Sequence, residues 1–480
     1  MLLKKTTLLL VCLLTGAVLF AQHKKDKLAA TMKAYHNYNM FDGAVLVAEN
    51  GKIIYQNAFG LANREWNIPN KADTKFMIGS VSKPLTAALM LIQVQKGIIG
   101  LDKAIEDYLP EFKNKPGAKI TIRQLLGHKS GMPNYDIIKD FFPLISRQHF
   151  TREDYIKIYM DSALAFEPGS GYAYSSWGYF TLGYIMERVT GKSYSQLIKE
   201  DIFTKLQMNN SGSYFHTQIV PDRATGYDYS FGGFTSADFR DQSNTMGTGD
   251  LYSTVEDLFK FHLSITNHTL INKQLTDEML SPGKLQYNNY GFGWFNQIFK
   301  YTATDSIKAN FHLGMTEGFI SFALRIPATN SFAVILCNSS PTDFFGIIKN
   351  LIKILYNKPV YLKAPVHKKT ETNITQLGAA GAVEAYKKMK ADTAHYYIDW
   401  ISMNFIAEQL LTLKRYEDAR IIAENNVIEF PNKDLVMVTM GNIYLALNRR
   451  EDAIRFYKKT LAITPGYEEA KNRLKELEGN

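Results

Sequence analysis

One stretch of this sequence is apolar on every side of a helix, and any fold for the chain has to enclose it. Between Lys83 and Lys96 most positions are leucine, alanine, methionine, isoleucine or valine, and no continuous polar face remains. A surface helix keeps a polar stripe toward water, whereas a helix that is apolar all round is covered by other elements. We therefore predict a buried helix over Lys83–Lys96.

Strand patterns occur on both sides of this helix along the chain. Phe41–Leu61 alternates apolar and polar residues around Asn50-Gly51, a dipeptide typical of tight hairpins. Strand character returns in three later segments, which are Tyr290–Phe295, Phe319–Leu324 and Ser331–Leu336. The chain from Leu101 to about Phe261 is helix-rich, and Ile347–Leu355 reads as a further helix. We predict an α+β fold: an antiparallel sheet from both ends of the domain, flanked by helices, with an all-helical insert.

A second, helical domain is predicted after a linker. Residues 358–376 contain several lysines, two prolines and threonines without a sustained period, which is typical of a linker. Within residues 377–480, Pro431 and Pro465 are 34 residues apart, as are Ala419 and Ala453. This period resembles the tetratricopeptide repeat, in which small residues let two antiparallel helices touch. A generic helical hairpin is the alternative. We expect either a protein partner for these repeats or docking onto the preceding domain.

The first 21 residues indicate export. Lys4-Lys5 precede an apolar core, and the stretch ends in Ala21, which is the layout of a secretory signal peptide cleaved before Gln22. An uncleaved anchor and a lipoprotein attached through Cys12 are alternatives. No later segment is apolar for long enough to span a membrane. We therefore predict residues 22–357 as the first mature domain, in a periplasmic or secreted protein without a membrane span.

Composition excludes several classes of function. The formal charge of +9 includes two lysines of the predicted signal, and the other cations are scattered among nearly as many acids, so we expect no nucleic-acid partner. The ten histidines form no HExxH motif and no cluster with cysteine, so we expect no metal and no other cofactor. Cys337 is the only cysteine after the signal, so no intramolecular disulfide is available to the mature chain.

Ser80 and Lys83 are the candidates for nucleophilic chemistry. They lie at the entry of the buried helix, and a spacing of three puts both side chains on one face. A serine hydroxyl needs a base to take its proton, and a desolvated lysine can serve because burial lowers its pKa. The similar Ser281-Pro282-Gly283-Lys284 stretch is set aside because proline and glycine predict a turn there.

Three motifs in order resemble the β-lactamase and penicillin-binding-protein family of class C β-lactamases, D-Ala-D-Ala carboxypeptidases and esterases. The motifs are Ser80-Val81-Ser82-Lys83, Tyr174-Ser175-Ser176 and His312-Leu313-Gly314, with the flanking Leu101-Asp102-Lys103 and Leu125-Leu126-Gly127-His128-Lys129-Ser130-Gly131. The resemblance covers roughly residues 40 to 357. No Gly-x-Ser-x-Gly occurs, which argues against an α/β-hydrolase.

The resemblance implies roles for these residues. Ser80 would form an acyl-enzyme, while Lys83 and Tyr174 would share the general-base work, with the tyrosine as a phenolate if the ammonium lowers its pKa. The backbone N–H groups of Ser80 and Met315 would form an oxyanion hole beside Gly314. His312 would bind or polarise the substrate, and we expect its charge to vary near neutral pH.

Ser176 departs from the family pattern, which has asparagine at this position of the second motif. A hydroxyl cannot donate and accept hydrogen bonds in the geometry of an amide, which puts efficient turnover of β-lactams or peptides in doubt. The sequence predicts an exported serine hydrolase that cleaves an ester or amide in a small molecule or peptide. The alternative is a non-catalytic envelope protein that binds a ligand in the same pocket.

Overall fold

The computed structural model describes residues 22–230, 233–281, 289–340 and 344–479. The predicted signal peptide and most of the Ser281–Lys284 turn lie outside these residues. The chain divides into two compact units, the first comprising residues up to Asp228 together with Ser236–Val360. The second comprises Tyr229–Thr235 and the chain from Tyr361 onward. No helix in the described part of the chain is long and apolar enough to cross a membrane.

The strands of the region from Gly43 to Ser340 are short except in one sheet. They are β1 (Gly43–Glu49), β2 (Lys52–Phe59), β3 (Leu61–Asn63), β4 (Ile68–Pro69), β5 (Phe76–Met77), β6 (Gly212–Ser213), β7 (Tyr227–Ser230), β8 (Gly233–Ser236), β9 (Leu251–Ser253), β10 (Phe295–Lys300), β11 (Ser306–Thr316), β12 (Phe319–Ile326), β13 (Ser331–Cys337) and β14 (Ser339–Ser340).

The helices of the first unit lie mostly between the two groups of long strands. They are α1 (residues 22–37), α2 (Ser82–Gln95), α3 (Ile122–Leu126), α4 (Arg152–Lys157), α5 (Ser176–Thr190), α6 (Tyr194–Ile198), α7 (Val255–Thr266), α8 (Lys273–Leu280) and α9 (Phe344–Leu355).

The main sheet has six antiparallel strands in the order β10-β11-β12-β13-β1-β2. Asn50 and Gly51 both have positive φ (52° and 70°), as the turn between β1 and β2 requires. Every residue of β12 and β13 is buried, so the middle of the sheet is covered on both faces. This arrangement confirms the predicted α+β fold with strands from both ends of the domain.

One predicted strand is displaced in the structure. Tyr290–Phe295 was expected to be extended, but β10 begins only at Phe295. Gly293 has a φ of +79°, and a side chain there would collide with the backbone of Pro84. The chain therefore turns sharply against the start of α2 before β10 can begin.

The predicted buried helix is confirmed as α2. Every residue from Ser82 to Gln93 is buried, and the helix packs against α5, α6 and α8. Pro84 falls in its first turn, where a missing N–H costs no intrahelical hydrogen bond. The strand β5 ends just before the start of α2, and a short turn joins the two elements.

From Tyr361 onward, the described part of the second unit is helical apart from two short strands. Its elements are β15 (Ala364–Pro365), α10 (Val366–Ala391), β16 (Tyr396–Tyr397), α11 (Trp400–Thr412), α12 (Tyr416–Glu429), α13 (Asp434–Ala446), α14 (Arg450–Ile463) and α15 (Glu468–Glu478). A side chain at Gly441 would stand 2.7 Å from the ring of Tyr457, so glycine lets α13 and α14 pack closely. The helical pairs fit the predicted tetratricopeptide-like region.

The predicted linker over residues 358–376 is wrong from Val366 onward. Val366, Thr370 and Ile374 recur every fourth residue and are buried in the core of the second unit. They form one helical face that the surrounding lysines and threonines obscured in the sequence. The helix kinks at Gly378, which has φ +73°.

Candidate active site

The candidate nucleophile lies on a short 3₁₀ turn between β5 and α2. Gly79–Val81 form this turn, and Gly79 has a φ of +47°. A Cβ at Gly79 would come within 2.9 Å of the backbone nitrogen of Met315 on β11. Glycine at this position therefore lets the Ser80 turn lie directly against β11.

Gly314 permits the same close approach from the side of the sheet. A Cβ there would meet the carbonyl oxygen of Ile78 at 2.1 Å and the backbone nitrogen of Ser80 at 3.0 Å. Ser321, which pairs with Gly314 across the sheet, donates a hydrogen bond of 2.6 Å to the Ile78 carbonyl. The backbones of Ser80 and Met315 are thus brought together, while the Met315 side chain itself is 62% exposed.

Lys83 is fully buried and contacts Ser80 directly. Its Nζ lies 2.9 Å from the Ser80 Oγ and 3.1 Å from the carbonyl oxygen of Thr248. Burial, assisted by the Arg240 guanidinium, holds the pKa of the Lys83 amine well below its usual range. None of the ion pairs among the described residues includes Lys83, so no carboxylate restores its charge. The amine is therefore available as a base.

Tyr174 lies on the other side of the same hydroxyl. Its side chain interacts with Ser80, and the Lys83 Nζ stands 4.9 Å from the centre of its ring. Burial raises the pKa of Tyr174 well above its ordinary value, and the interaction with Ser80 offsets this only in part. The condition under which a phenolate was expected, a tyrosine pKa lowered by the nearby ammonium, is therefore not met at Tyr174.

Ser176 is the first residue of α5. The Ser175 hydroxyl caps this helix, accepting from the Gly178 N–H, and the Ser176 N–H donates to Asn134 Oδ1 at 3.0 Å. Asn134 comes from a loop more than forty residues earlier, and no sequence motif selects it. The structure thus places the amide side chain of Asn134 against the backbone of Ser176.

His312 is buried on β11 and makes two hydrogen bonds. Its Nδ1 lies 2.8 Å from the carbonyl oxygen of Leu313, which can only accept, so Nδ1 carries the proton. The Tyr290 hydroxyl then donates to Nε2 at 3.0 Å. Burial lowers the pKa of His312 to about 3, with Lys83 acting in the same direction. The expectation that its charge varies near neutral pH is therefore wrong.

His128 supports the second motif. The Ser175 N–H donates to its Nδ1 at 3.1 Å, and its ring centre lies 4.3 Å from that of Tyr174. Burial, together with Lys83 and His312, holds the pKa of His128 well below its usual value, so the imidazole is neutral. The position of His128 in a family motif indicated that it could lie near the site, but the sequence did not show which residues it would contact.

Arg240 is a further site residue that the sequence did not single out. Its guanidinium stands 5.7 Å from the ring centres of both Tyr135 and Phe142. Its ion pair with Glu317 spans 3.9 Å, and its side chain is 11% exposed. A buried cation here opposes protonation of Lys83. Among the described residues, no group of histidine, cysteine, aspartate and glutamate could hold a metal ion.

A buried lysine and a buried tyrosine around one serine, with the backbones of Ser80 and Met315 beside them, are an arrangement typical of serine hydrolases. The beta-lactamase family profile matches residues 25–357, and the chain belongs to this family of serine hydrolases. A penicillin-binding protein of Bacillus subtilis (strain 168) is 29% identical over 359 residues, and the match covers 70% of this chain and 77% of that protein. The putative penicillin-binding protein PbpX of the same strain is 30% identical over 318 residues, covering 66% of this chain and 76% of its own.

Solved structures share the fold. The D-amino acid amidase from Ochrobactrum anthropi SV3, complexed with L-phenylalanine amide, has a TM-score of 0.59 at 24% identity. The match covers 70% of this chain and 99% of the amidase. A penicillin binding protein from Bacillus halodurans has a TM-score of 0.59 at 24% identity over 68% of this chain and 99% of its own.

Proposed function

We propose that this protein is an exported serine hydrolase that cleaves an ester or amide through an acyl-enzyme on Ser80. The observation that carries the proposal is the contact of 2.9 Å between the Ser80 Oγ and the buried Lys83 amine, which itself lies 4.9 Å from the ring centre of Tyr174. A nucleophile with a base and an acid beside it is the arrangement that acyl transfer needs. Export is proposed from the first 21 residues.

In the acylation step, the Lys83 lone pair takes the Ser80 proton as the Ser80 oxygen attacks the acyl carbon. The negative charge that develops on the substrate oxygen is stabilised by the N–H groups of Ser80 and Met315. The Tyr174 phenol donates its proton to the leaving alcohol or amine as the bond to the acyl carbon breaks. Lys83 returns the proton to Tyr174, which restores both groups.

Deacylation uses the same groups in the same order. A water molecule attacks the acyl carbon while Lys83 takes its proton, and the bond to the Ser80 oxygen breaks. The serine regains a proton from Tyr174, the carboxylic acid leaves, and Lys83 passes its proton to Tyr174, which restores both groups. The substrate class is proposed from relatives, among which the names of an amidase and of penicillin-binding proteins occur.

Covalent labelling of purified protein tests this function. Ser80→Ala should abolish labelling by a fluorophosphonate or fluorescent penicillin and lower hydrolysis of a nitrophenyl ester by roughly three orders of magnitude or more. Ser82→Ala is the matched control, because Ser82 is buried two residues away and its hydroxyl has no hydrogen-bond partner among the described residues. It should label normally.

Labelling that persists in Ser80→Ala would contradict the assignment of the nucleophile. A wild-type protein that binds a penicillin or ester reversibly, without ever forming the acyl-enzyme, would instead support a binding protein that uses the pocket without chemistry.

A further inference from the structure

The second hydrogen bond of Lys83 decides where its lone pair points. The Thr248 carbonyl oxygen, 3.1 Å from Nζ, can only accept, so one N–H of the lysine is directed at it. A neutral amine has two N–H bonds and one lone pair. Once one N–H is fixed on Thr248, rotation about the last side-chain bond is limited and the lone pair can face the Ser80 Oγ at 2.9 Å.

The carbonyl belongs to a tightly bonded loop, Thr245–Asp250, which we call the carbonyl loop. The Thr248 and Gly249 N–H groups both donate to the Thr245 carbonyl, at 2.9 and 3.0 Å. The Asp250 carboxylate closes the loop by accepting from the Gly247 N–H at 2.8 Å. Asp250 is 3% exposed, so this bond is shielded from water.

Thr86 ties the carbonyl loop to the helix that carries Lys83. It lies on α2 three residues after the lysine, and its Oγ1 stands 2.7 Å from the Gly247 carbonyl oxygen. The Tyr194 hydroxyl, 2.8 Å away, donates to Thr86 when the single Thr86 proton is given to Gly247. Gly247 has a φ of +69°, and a Cβ there would press within 3.3 Å of both the Thr86 methyl group and the Tyr179 carbonyl oxygen.

We propose that Thr86 and Asp250 are positioning residues for Lys83, holding the carbonyl loop so that Thr248 turns the lysine lone pair toward Ser80. The inference rests on the proposed function, since it concerns the base that activates the nucleophile. In the described part of the chain, neither residue hydrogen-bonds directly to Ser80 or Lys83. Both act through the Thr248 carbonyl, one from α2 and one from the far end of the loop.

Single variants test the arrangement on the full-length protein. Thr86→Val keeps the shape of the side chain and removes the hydroxyl, and should lower the maximal acylation rate constant with a nitrophenyl ester roughly fivefold to thirtyfold. The half-saturating ester concentration should not change, because binding of the ester is not affected. Thr86→Ser restores the hydroxyl and should restore the rate.

Tyr194→Phe is the matched control. It removes a buried hydroxyl bonded to the same Thr86 oxygen but leaves the bond from Thr86 to Gly247, so acylation should stay within about twofold of wild type. Thermal unfolding of each variant shows whether it is folded at the assay temperature. If Thr86→Val does not fold, Asp250→Ala, which removes the acceptor of the Gly247 N–H, decides the question against the same control and should also slow acylation.

The double variant Thr86→Val/Asp250→Ala removes both hydrogen bonds to Gly247 and tests whether the two residues act through the same carbonyl. Because both residues act on one carbonyl, their combined rate loss should be clearly smaller than the product of the single losses. A full product, or a Thr86→Val enzyme as fast as Thr86→Ser, would overturn the inference. A wild-type protein that is never acylated would contradict the proposed function itself, which makes the two failures distinguishable.

Discussion

The protonation states of Lys83 and Tyr174 follow from the same cause and point in opposite directions. Burial disfavours the charged form of each group, so the lysine loses its proton more readily and the tyrosine keeps its proton more firmly. Arg240 adds to this for Lys83. In the proposed mechanism the lysine is therefore the base and the tyrosine the acid, whereas a phenolate mechanism would have them share the work of the base.

This division predicts the pH dependence of acylation. The rate with a nitrophenyl ester should rise as pH increases through the lowered pKa of Lys83, because only the neutral amine can take the Ser80 proton. It should then stay level to about pH 9, since the pKa of Tyr174 is raised and the pKa of His312, at about 3, is too low to matter. Stopped-flow acylation measured from pH 5 to 9 provides the test.

Tyr174→Phe serves as the control for this profile. Removing the phenol should lower the plateau by roughly tenfold to a thousandfold while leaving the midpoint of the rising limb nearly unchanged. A fall in the wild-type rate between pH 7 and 9 that disappears in Tyr174→Phe would show that the phenol loses its proton in this range, against the effect of burial.

Candidate site residues could be selected from the sequence where their spacing in a motif carries information. Ser80 and Lys83 lie one helical turn apart, and the order of the three motifs selected Tyr174 and His312. Thr248 could not be found in this way, because it acts through a backbone carbonyl that any residue type supplies. Arg240 was equally hidden, since its effect on the pKa of Lys83 is electrostatic and depends on the fold and not on a neighbouring motif.

In the carbonyl loop, the carboxylate of Asp250 closes the loop that we propose to position Lys83, but burial makes its negative charge unfavourable. Burial raises the pKa of Asp250 from 3.8 to about 6, although the Gly247 N–H and the charge of Arg152 lower it in part. Arg152 is itself paired with Glu187. The charge of Asp250 also acts on Tyr194, where it helps to raise the pKa of the phenol. A carboxylate in this position is less stable than one in water, yet it closes the loop.

Replacing Asp250 by asparagine should reveal, as a function of pH, how much the buried charge of Asp250 lowers the free energy of unfolding. The folded pKa is raised, so the protonated carboxyl adds stability below about pH 4, and that stability is lost as pH rises through 6. The stability of wild type relative to Asp250→Asn should therefore decrease by about 2 kcal/mol between pH 4 and pH 7. Urea unfolding at several pH values measures it. A pH-independent difference would mean that Asp250 has an ordinary pKa in the fold.

Helices and strands with a strong pattern of apolar residues could be predicted from the sequence. Those whose boundaries depend on contacts with distant parts of the chain could not. The helix α2 and the strands β12 and β13 follow from continuous apolar runs. The start of β10 does not, because Gly293 turns the chain only where Pro84 lies against it. The first half of α10 was read as linker because its buried face consists of Val366, Thr370 and Ile374 among lysines, and threonine at a core position weakens the periodic signal.

On the scale of the whole molecule, the two units have separate cores. The large core of the first unit draws on residues from Ala44 to Leu336, and that of the second on residues from Val366 to Leu474. The residues Ser80, Lys83, Tyr174 and His312 all belong to the first unit. Chains with two such cores commonly unfold in separate steps, since each core can lose its packing without the other.

A chain ending at Val360 should therefore remain folded and keep the hydrolysis of a small ester. We expect its kcat/KM for a nitrophenyl ester to stay within about threefold of the full-length value, because no proposed catalytic group is removed. Calorimetry should show that one unfolding transition of the full chain disappears. Ser80→Ala in the shortened chain is the control, and it should abolish the remaining activity. A shortened protein that unfolds cooperatively but no longer hydrolyses the ester would mean that residues after Val360 are needed to form the site, and the helical unit would then have to be treated as part of the enzyme.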